Sequence, residues 1–288
     1  MARVHEEREL KLTYNSKEAT RCPVCDTSFY REELLSGGGR LIAGPLTDEL
    51  HRLYEPSAKY GEVHPLVYHP TVCPSCWFAS WDADFTHLPA KAREAVMDDH
   101  DSLVSDVQQI FPSLDFSSRR TLVEGTAATY LALRCYSFYP KDFNPTIKSG
   151  ITALRCGWLF DELHKKECDQ HYDWLAILFK KKALFFYHEA VLKEQSGAEP
   201  IASLRNFGPD TDKNFGYEGV VYLTSLLEFK YGPREDAEKR LAAVGEAKRS
   251  IAKLFGLGKS SRNKPGPLLE IARDLYDSFN KELNENDD

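Results

Sequence analysis

The 288-residue chain has no apolar run of membrane-spanning length. Its most hydrophobic stretch, residues 174–179, is cut off by Lys180, Lys181 and Lys182, well short of the roughly 20 residues that a spanning helix needs. Membrane insertion is therefore not expected, and the chain reads as soluble. The opening residues 1–8 lack the apolar core of a secretory leader, which points to a reducing cytoplasm. Excess positive charge is missing too: the net charge is -7. Residues 1–85 hold 9 Lys or Arg against 13 Asp or Glu, whereas phosphate-binding modules carry a basic face.

The common catalytic signatures are absent as well. His188-Glu189 is followed by Leu192 where a metalloprotease helix needs its second histidine. There is no G-x-S-x-G elbow. Gly256-Leu257-Gly258-Lys259-Ser260-Ser261 has Lys253 where a phosphate loop would start with glycine, and a helical pattern precedes it, so it reads as a plain loop.

What the chain does have is two Cys-Pro-x-Cys pairs, Cys22-Pro23-Val24-Cys25 and Cys73-Pro74-Ser75-Cys76. A C-x₂-C pair places two sulfurs on one ion without straining the backbone, and two pairs complete a tetrahedral shell. Proline pre-sets the tight turn in which following N–H groups face the sulfurs. One structural Zn²⁺ on Cys22, Cys25, Cys73 and Cys76 is the expectation. A saturated shell leaves no position for substrate or water, so this site is not read as catalytic. The 47 residues between the pairs imply an insertion between two metal knuckles.

The remaining cysteines stand singly. Cys135, near Leu131 and Phe138, and Cys156, near Trp158, read as small core side chains. His164, Cys168 and His171 would share one helical face if a helix ran unbroken through them, a possible second metal site, but Lys165-Lys166-Glu167 and Asp169-Gln170 look like a solvated loop. Asp82, Asp84 and His87 are acid, base or ligand candidates whose plainer reading is capping and solvated residues. His64 and His69, each next to a proline, read as supporting or surface residues. Phe185-Phe186-Tyr187-His188 reads as helix core.

Turn formers and short aromatic or β-branched runs dominate up to about residue 88: Ser36-Gly37-Gly38-Gly39 marks a turn, while Leu66-Val67-Tyr68 and Thr71-Val72 read as short strands. Helical periodicity then takes over. Ala128, Leu131, Cys135 and Phe138 form one stripe; Phe215, Gly219, Tyr222, Leu226 and Phe229 a second. Ala237, Leu241, Val244, Ile251 and Phe255, closed by Gly256, form a third, and Leu268, Ile271, Ala272, Leu275 and Phe279 a fourth. Gly232, Ala237 and Leu241 fit tetratricopeptide spacing, although Thr224 and Ser225 do not.

The expected architecture is mainly α. A small β-containing four-cysteine module spans 1–87, antiparallel helical hairpins span 88–280 as a tetratricopeptide-like array or a bundle, and 281–288 is an acidic, disordered tail.

The two cysteine pairs, with Tyr54-Glu55, His64-Pro65-Leu66-Val67-Tyr68, Val72-Cys73-Pro74-Ser75-Cys76-Trp77-Phe78-Ala79, Asp84-Phe85 and Ala153-Leu154-Arg155-Cys156-Gly157-Trp158-Leu159, resemble the bacterial domain-of-unknown-function family 2225. The resemblance implies a zinc-stabilised module followed by a tetratricopeptide-like helical region and carries no activity with it. Trp77 departs from the family, which more often has glycine there. Three function classes follow. The leading one is a zinc-binding protein–protein interaction adaptor with a protein partner. The others are an enzyme with a cleft between module and helices, and a nucleic-acid-binding zinc module.

Overall fold

The computed structural model describes residues 11–201, 204, 208–255 and 266–284. The expected cap at Gly256 and the loop that it opens, residues 256–261, lie outside them. The fold is mainly helical, with small two-stranded sheets confined to the N-terminal part.

Strands β1 (Thr13–Asn15) and β4 (Glu32–Leu34) pair antiparallel around a second hairpin, β2 (Thr20–Arg21) with β3 (Ser28–Phe29). After the turn at residues 37–40 come β5 (Ile42–Leu46) and β6 (Arg52–Glu55), paired with an irregularity between Ala43 and Leu46. A 3-10 turn, Pro65–Tyr68, then leads into β7 (Pro70–Val72), which pairs with β8 (Ala79–Trp81). Leu66–Tyr68 is thus helical rather than the expected strand, because Pro65 occupies the first turn with its fixed φ and needs no N–H partner there.

Nine α-helices follow among the described residues: α1 (Asp82–Phe85), α2 (Ala90–Asp98), α3 (His100–Ile110), α4 (Leu122–Tyr136), α5 (Pro145–Lys166), α6 (Tyr172–Ser196), α7 (Gly216–Tyr231), α8 (Ala237–Leu254) and α9 (Gly266–Asn284). The four apolar stripes fall on α4, α7, α8 and α9, with Phe138, Phe215 and Phe255 just beyond the helix ends. Local chemistry fixes several ends. Thr121 and Glu124 form a reciprocal capping box at the start of α4, Asp236 caps α8 through the Lys239 N–H, and Gly197 closes α6 in the left-handed conformation.

From α4 onward each helix packs mainly on its neighbours in sequence. The α5–α6 hairpin is antiparallel with a readable register: Gly150 lies against Tyr187, and Gly157, two turns on, lies against Lys180, two turns back. A Cβ on Gly157 would come within 2.7 Å of Lys180 Cγ, so both glycines permit the close approach. Phe160 and Phe179 stack across the same seam at 5.3 Å. Helix α5 is enclosed on nearly every side, from Thr146 to Phe160.

One hydrophobic core runs through both parts of the chain, from Cys22, Cys73 and Phe78 through Tyr136 and Ile151 to Leu275 and Phe279. Two expectations are corrected. Of Phe185-Phe186-Tyr187-His188, Tyr187 is buried but Phe185 is 60 % exposed, since consecutive helical residues point about 100° apart. The segment read as a tail begins as helix: α9 continues through 281–284, and Glu282 grips the buried Arg240 at 2.6 and 3.0 Å. Residues 285–288 lie outside the described part.

Candidate metal centre

The two knuckles are built alike. In the first, the Asp26 N–H donates to the Cys22 carbonyl at 3.1 Å and the Cys22 N–H to the Thr27 carbonyl at 2.9 Å. In the second, Trp77 donates to Cys73 at 3.0 Å and Cys73 to Phe78 at 2.9 Å. Each turn closes on a residue with positive φ, Asp26 at 62° and Trp77 at 58°. A glycine would sit there freely, and a side chain costs on the order of 1 kcal/mol. At Trp77 that cost is offset by an edge-to-face contact with Phe116, with centroids 5.5 Å apart.

The knuckles face one another. Cys22 Sγ lies 3.6 Å from Cys76 Sγ and Cys25 Sγ lies 3.5 Å from Cys73 Sγ, and all four sulfurs fall within 4.8 Å of each other. These spacings are far longer than a disulfide bond and close to the roughly 3.8 Å sulfur separation of a tetrahedron with 2.3 Å metal–sulfur bonds. The Val24 N–H points at Cys22 Sγ at 3.4 Å. Cys22, Cys73 and Cys76 are buried and Cys25 is exposed.

Proton sharing within the cluster pulls the thiols apart. The Cys22 and Cys76 side chains draw Cys73 down to about 2, whereas bonding to Cys73 pushes Cys22 up to about 12, and bonding to Cys22 pushes Cys76 up strongly. Four thiolates at this distance repel one another, and a divalent cation removes that repulsion. The donor set, burial and spacing thus fit a soft, tetrahedral metal ion.

His164, Cys168 and His171 are not gathered into a site among the described residues. Helix α5 stops at Lys166, Cys168 lies exposed in a 3-10 turn, and His171 has φ 55°, so the shared helical face does not exist. Asp82 bonds Thr71 at 3.3 Å and pairs with Arg31. His87 is exposed against the Ala83 carbonyl.

Asp84 is neither solvated nor a cap. Its carboxylate is buried and accepts hydrogen bonds from Lys148 Nζ and the Tyr136 hydroxyl, each at 2.7 Å. Tyr136 in turn accepts from the Trp81 N–H, and Trp81 Nε1 donates to Thr152. The hairpin that carries the second knuckle is thereby tied to α4 and α5.

His69 is half-buried and held by its neighbours rather than superficial. It lies 3.0 Å from Arg155 Nη1 and edge-on to Trp81, and burial together with the Arg155 charge pushes it well below the usual imidazole range. The sequence also left unremarked the contact of the β5–β6 turn with the helices. Glu49 accepts from Trp158 Nε1 and the Tyr231 hydroxyl, each at 2.6 Å, and pairs with Lys230. Burial raises the Glu49 carboxyl, but Lys180 and Lys230 outweigh it and hold it low.

A second cluster joins Glu62, His64 and Glu162, whose ligand atoms also lie within 4.8 Å of one another. It borders a pocket of about 180 Å³ lined by His51, Tyr54, Leu66, Trp158 and Leu159. His64 is drawn down by burial. Lys166 neutralises Glu62 at 2.8 Å and Lys165 meets Glu162 at 2.6 Å. Only His64 carried any signal in the sequence, since Glu162 lies a hundred positions away on α5.

A family model described as an uncharacterized protein conserved in bacteria matches residues 15–279. An uncharacterized protein of Borreliella burgdorferi is 38% identical over 274 residues, covering 95% of this chain and 98% of the relative. No solved structure matches the chain. With both cysteine knuckles and all but the last turn of α9 inside the matched span, the chain belongs to domain-of-unknown-function family 2225.

Proposed function

We propose that Cys22, Cys25, Cys73 and Cys76 hold one structural Zn²⁺ and that the chain is a cytoplasmic scaffold whose helices bind a protein partner. The observation that carries this reading is the junction between knuckle and helix. The second knuckle's hairpin runs straight into the Trp81–Tyr136–Asp84–Lys148 network on α4 and α5, so an ion that fixes the knuckles also fixes the helices. Zinc with four thiolates supplies cross-linking and no open coordination position. Helices stacked on their sequence neighbours present extended surfaces suited to protein recognition.

Elemental analysis of the purified protein, paired with a pull-down from its own cell extract with and without chelator, tests the proposal. One equivalent of zinc and a partner released by chelation are the expected results. A metal-free protein with intact helices and an undiminished partner sinks it.

One observation favours a second reading, an enzyme. Glu62, His64 and Glu162 converge on a pocket between the N-terminal part and α5, as a two-carboxylate, one-imidazole metal site would require. A second metal equivalent that is lost on Glu162→Gln while the first stays bound would move that reading forward.

A further inference from the structure

The outer face of α6 carries an unused pattern. Trp174, Leu178, Lys181, Phe185, His188 and Leu192 follow spacings of 4, 3, 4, 3 and 4, the seam of a coiled coil. All six are exposed, with Trp174, Leu178, Phe185 and Leu192 at 62, 42, 60 and 58 % and the flanking Ile177 at 48 %. Five of the nine large hydrophobics exposed among the described residues therefore lie on one side of one helix. The opposite side of α6, with Ala176, Phe179, Ala183, Tyr187 and Ala190, is buried in this chain's own core.

We propose that this face is the isologous interface of a homodimer in which two α6 helices cross antiparallel about a two-fold axis that meets the exposed face at the height of residue 183. The seam is nearly palindromic about that point. Antiparallel pairing sets Trp174 against Leu192, Leu178 against His188 and Lys181 against Phe185. Each polar seam residue then meets an apolar one, and the Lys181 ammonium lies over a partner ring, a favourable cation–π arrangement. A parallel pair would instead set Lys181 on Lys181 and His188 on His188, which polar seam positions disfavour.

The area suits the proposal. Five apolar side chains of roughly 200 Å² each, about half exposed, offer roughly 500 Å² per copy. A two-fold pair doubles that to about 1,000 Å², the scale a specific interface needs. A second copy is in this way named as the partner of the scaffold reading, and the interface does not depend on which metal the cysteines hold.

Sedimentation equilibrium on the full metal-loaded chain tests it, with metal content read from the same sample. A mass of twice 32.8 kDa at tens of micromolar is expected. Leu192→Asp, which sets a carboxylate against the partner's Trp174, should weaken the dimer at least about 30-fold with an unchanged far-UV spectrum. An equimolar mixture of Leu178→Cys and His188→Cys chains should form a 178–188 disulfide under mild oxidation, whereas Leu178→Cys alone should not join to itself. A wild-type chain that stays monomeric at 100 micromolar overturns the inference, as does a Leu192→Asp chain that stays dimeric. So does a monomer that binds lipid vesicles through Trp174. Loss of zinc with the dimer intact would overturn the scaffold's metal and leave the interface standing.

Discussion

Asp84 and Lys148 form a buried ion pair at 2.7 Å between the short helix after the second knuckle and the first turn of α5. Tyr136 on α4 donates to the same carboxylate oxygen, and the Lys148 ammonium lies about 6 Å from the centres of the Trp81, Tyr136 and Phe143 rings. Removing one member strands a charge in the core, which costs about 3–5 kcal/mol, whereas an apolar pair of similar volume can be close to neutral. Lys148→Met should therefore lower the urea-derived stability by that amount. The double variant Asp84→Leu/Lys148→Met should cost clearly less than its two single changes added together. Additivity within about 0.5 kcal/mol would show that the pair is not coupled.

Cysteine replacement should reach beyond the knuckles. Cys22 and Cys73 share a core with Tyr136 and Ile151, so Cys76→Ser, which removes one of the four candidate ligands, should lower the melting temperature of the helices themselves. Far-UV and near-UV signals should fall together in one transition. A helical transition left at its wild-type temperature would mean that the knuckles fold independently.

Gly125 lies beneath the 3-10 turn. A Cβ there would come within 2.6 Å of Val67 Cγ1 and 2.7 Å of Val67 Cα, and backbone cannot give way as a side-chain end can. Gly125→Ala should cost about 1–3 kcal/mol despite alanine's better helix propensity. Gly157→Ala, whose closest backbone atom is Ala176 O at 3.2 Å rather than a Cα at 2.7 Å, should cost less. Equal destabilisation of both variants in thermal melts would refute that ranking.

His69 sets an acid limit. Burial first, and the Arg155 charge second, hold its folded-state pKa well below 6.5, whereas the unfolded imidazole takes up a proton near 6.5. The unfolded state therefore binds more protons below that value. Stability is complete above about pH 6.5 and declines as the pH falls towards the folded pKa, by up to about 1.4 kcal/mol per pH unit. The urea midpoint of the wild type should drop more between pH 7.5 and 5.5 than that of His69→Gln, with any acid loss of metal common to both. Parallel pH profiles would assign the acid sensitivity elsewhere.

The repeated Cys-Pro-x-Cys and the helical stripes were legible because each is a local pattern: proline presets a turn, and apolar residues recur at helical spacing. The single break that mattered locally, His164 to His171, turned on where α5 ends, and charged residues alone signalled that end. Asp84 was misread because its partners lie 52 and 64 positions away, and no spacing rule connects them. Leu66–Tyr68 has strand-like residues, yet Pro65 and the packing of Val67 on Gly125 turn it into a 3-10 helix.

By itself the sequence determined four cysteines in two preorganised turns and the mainly helical character of the described residues after residue 88, since backbone restriction and amphipathic periodicity act over a few residues. Only the tertiary structure decided that the four sulfurs meet, that Glu49, Asp84 and Arg155 are buried and His69 half-buried in networks of distant partners, and that α6 leaves a heptad face outside. Those outcomes depend on which distant charges neutralise one another and which helical faces find a neighbour. Desolvation and packing settle both over the whole chain at once.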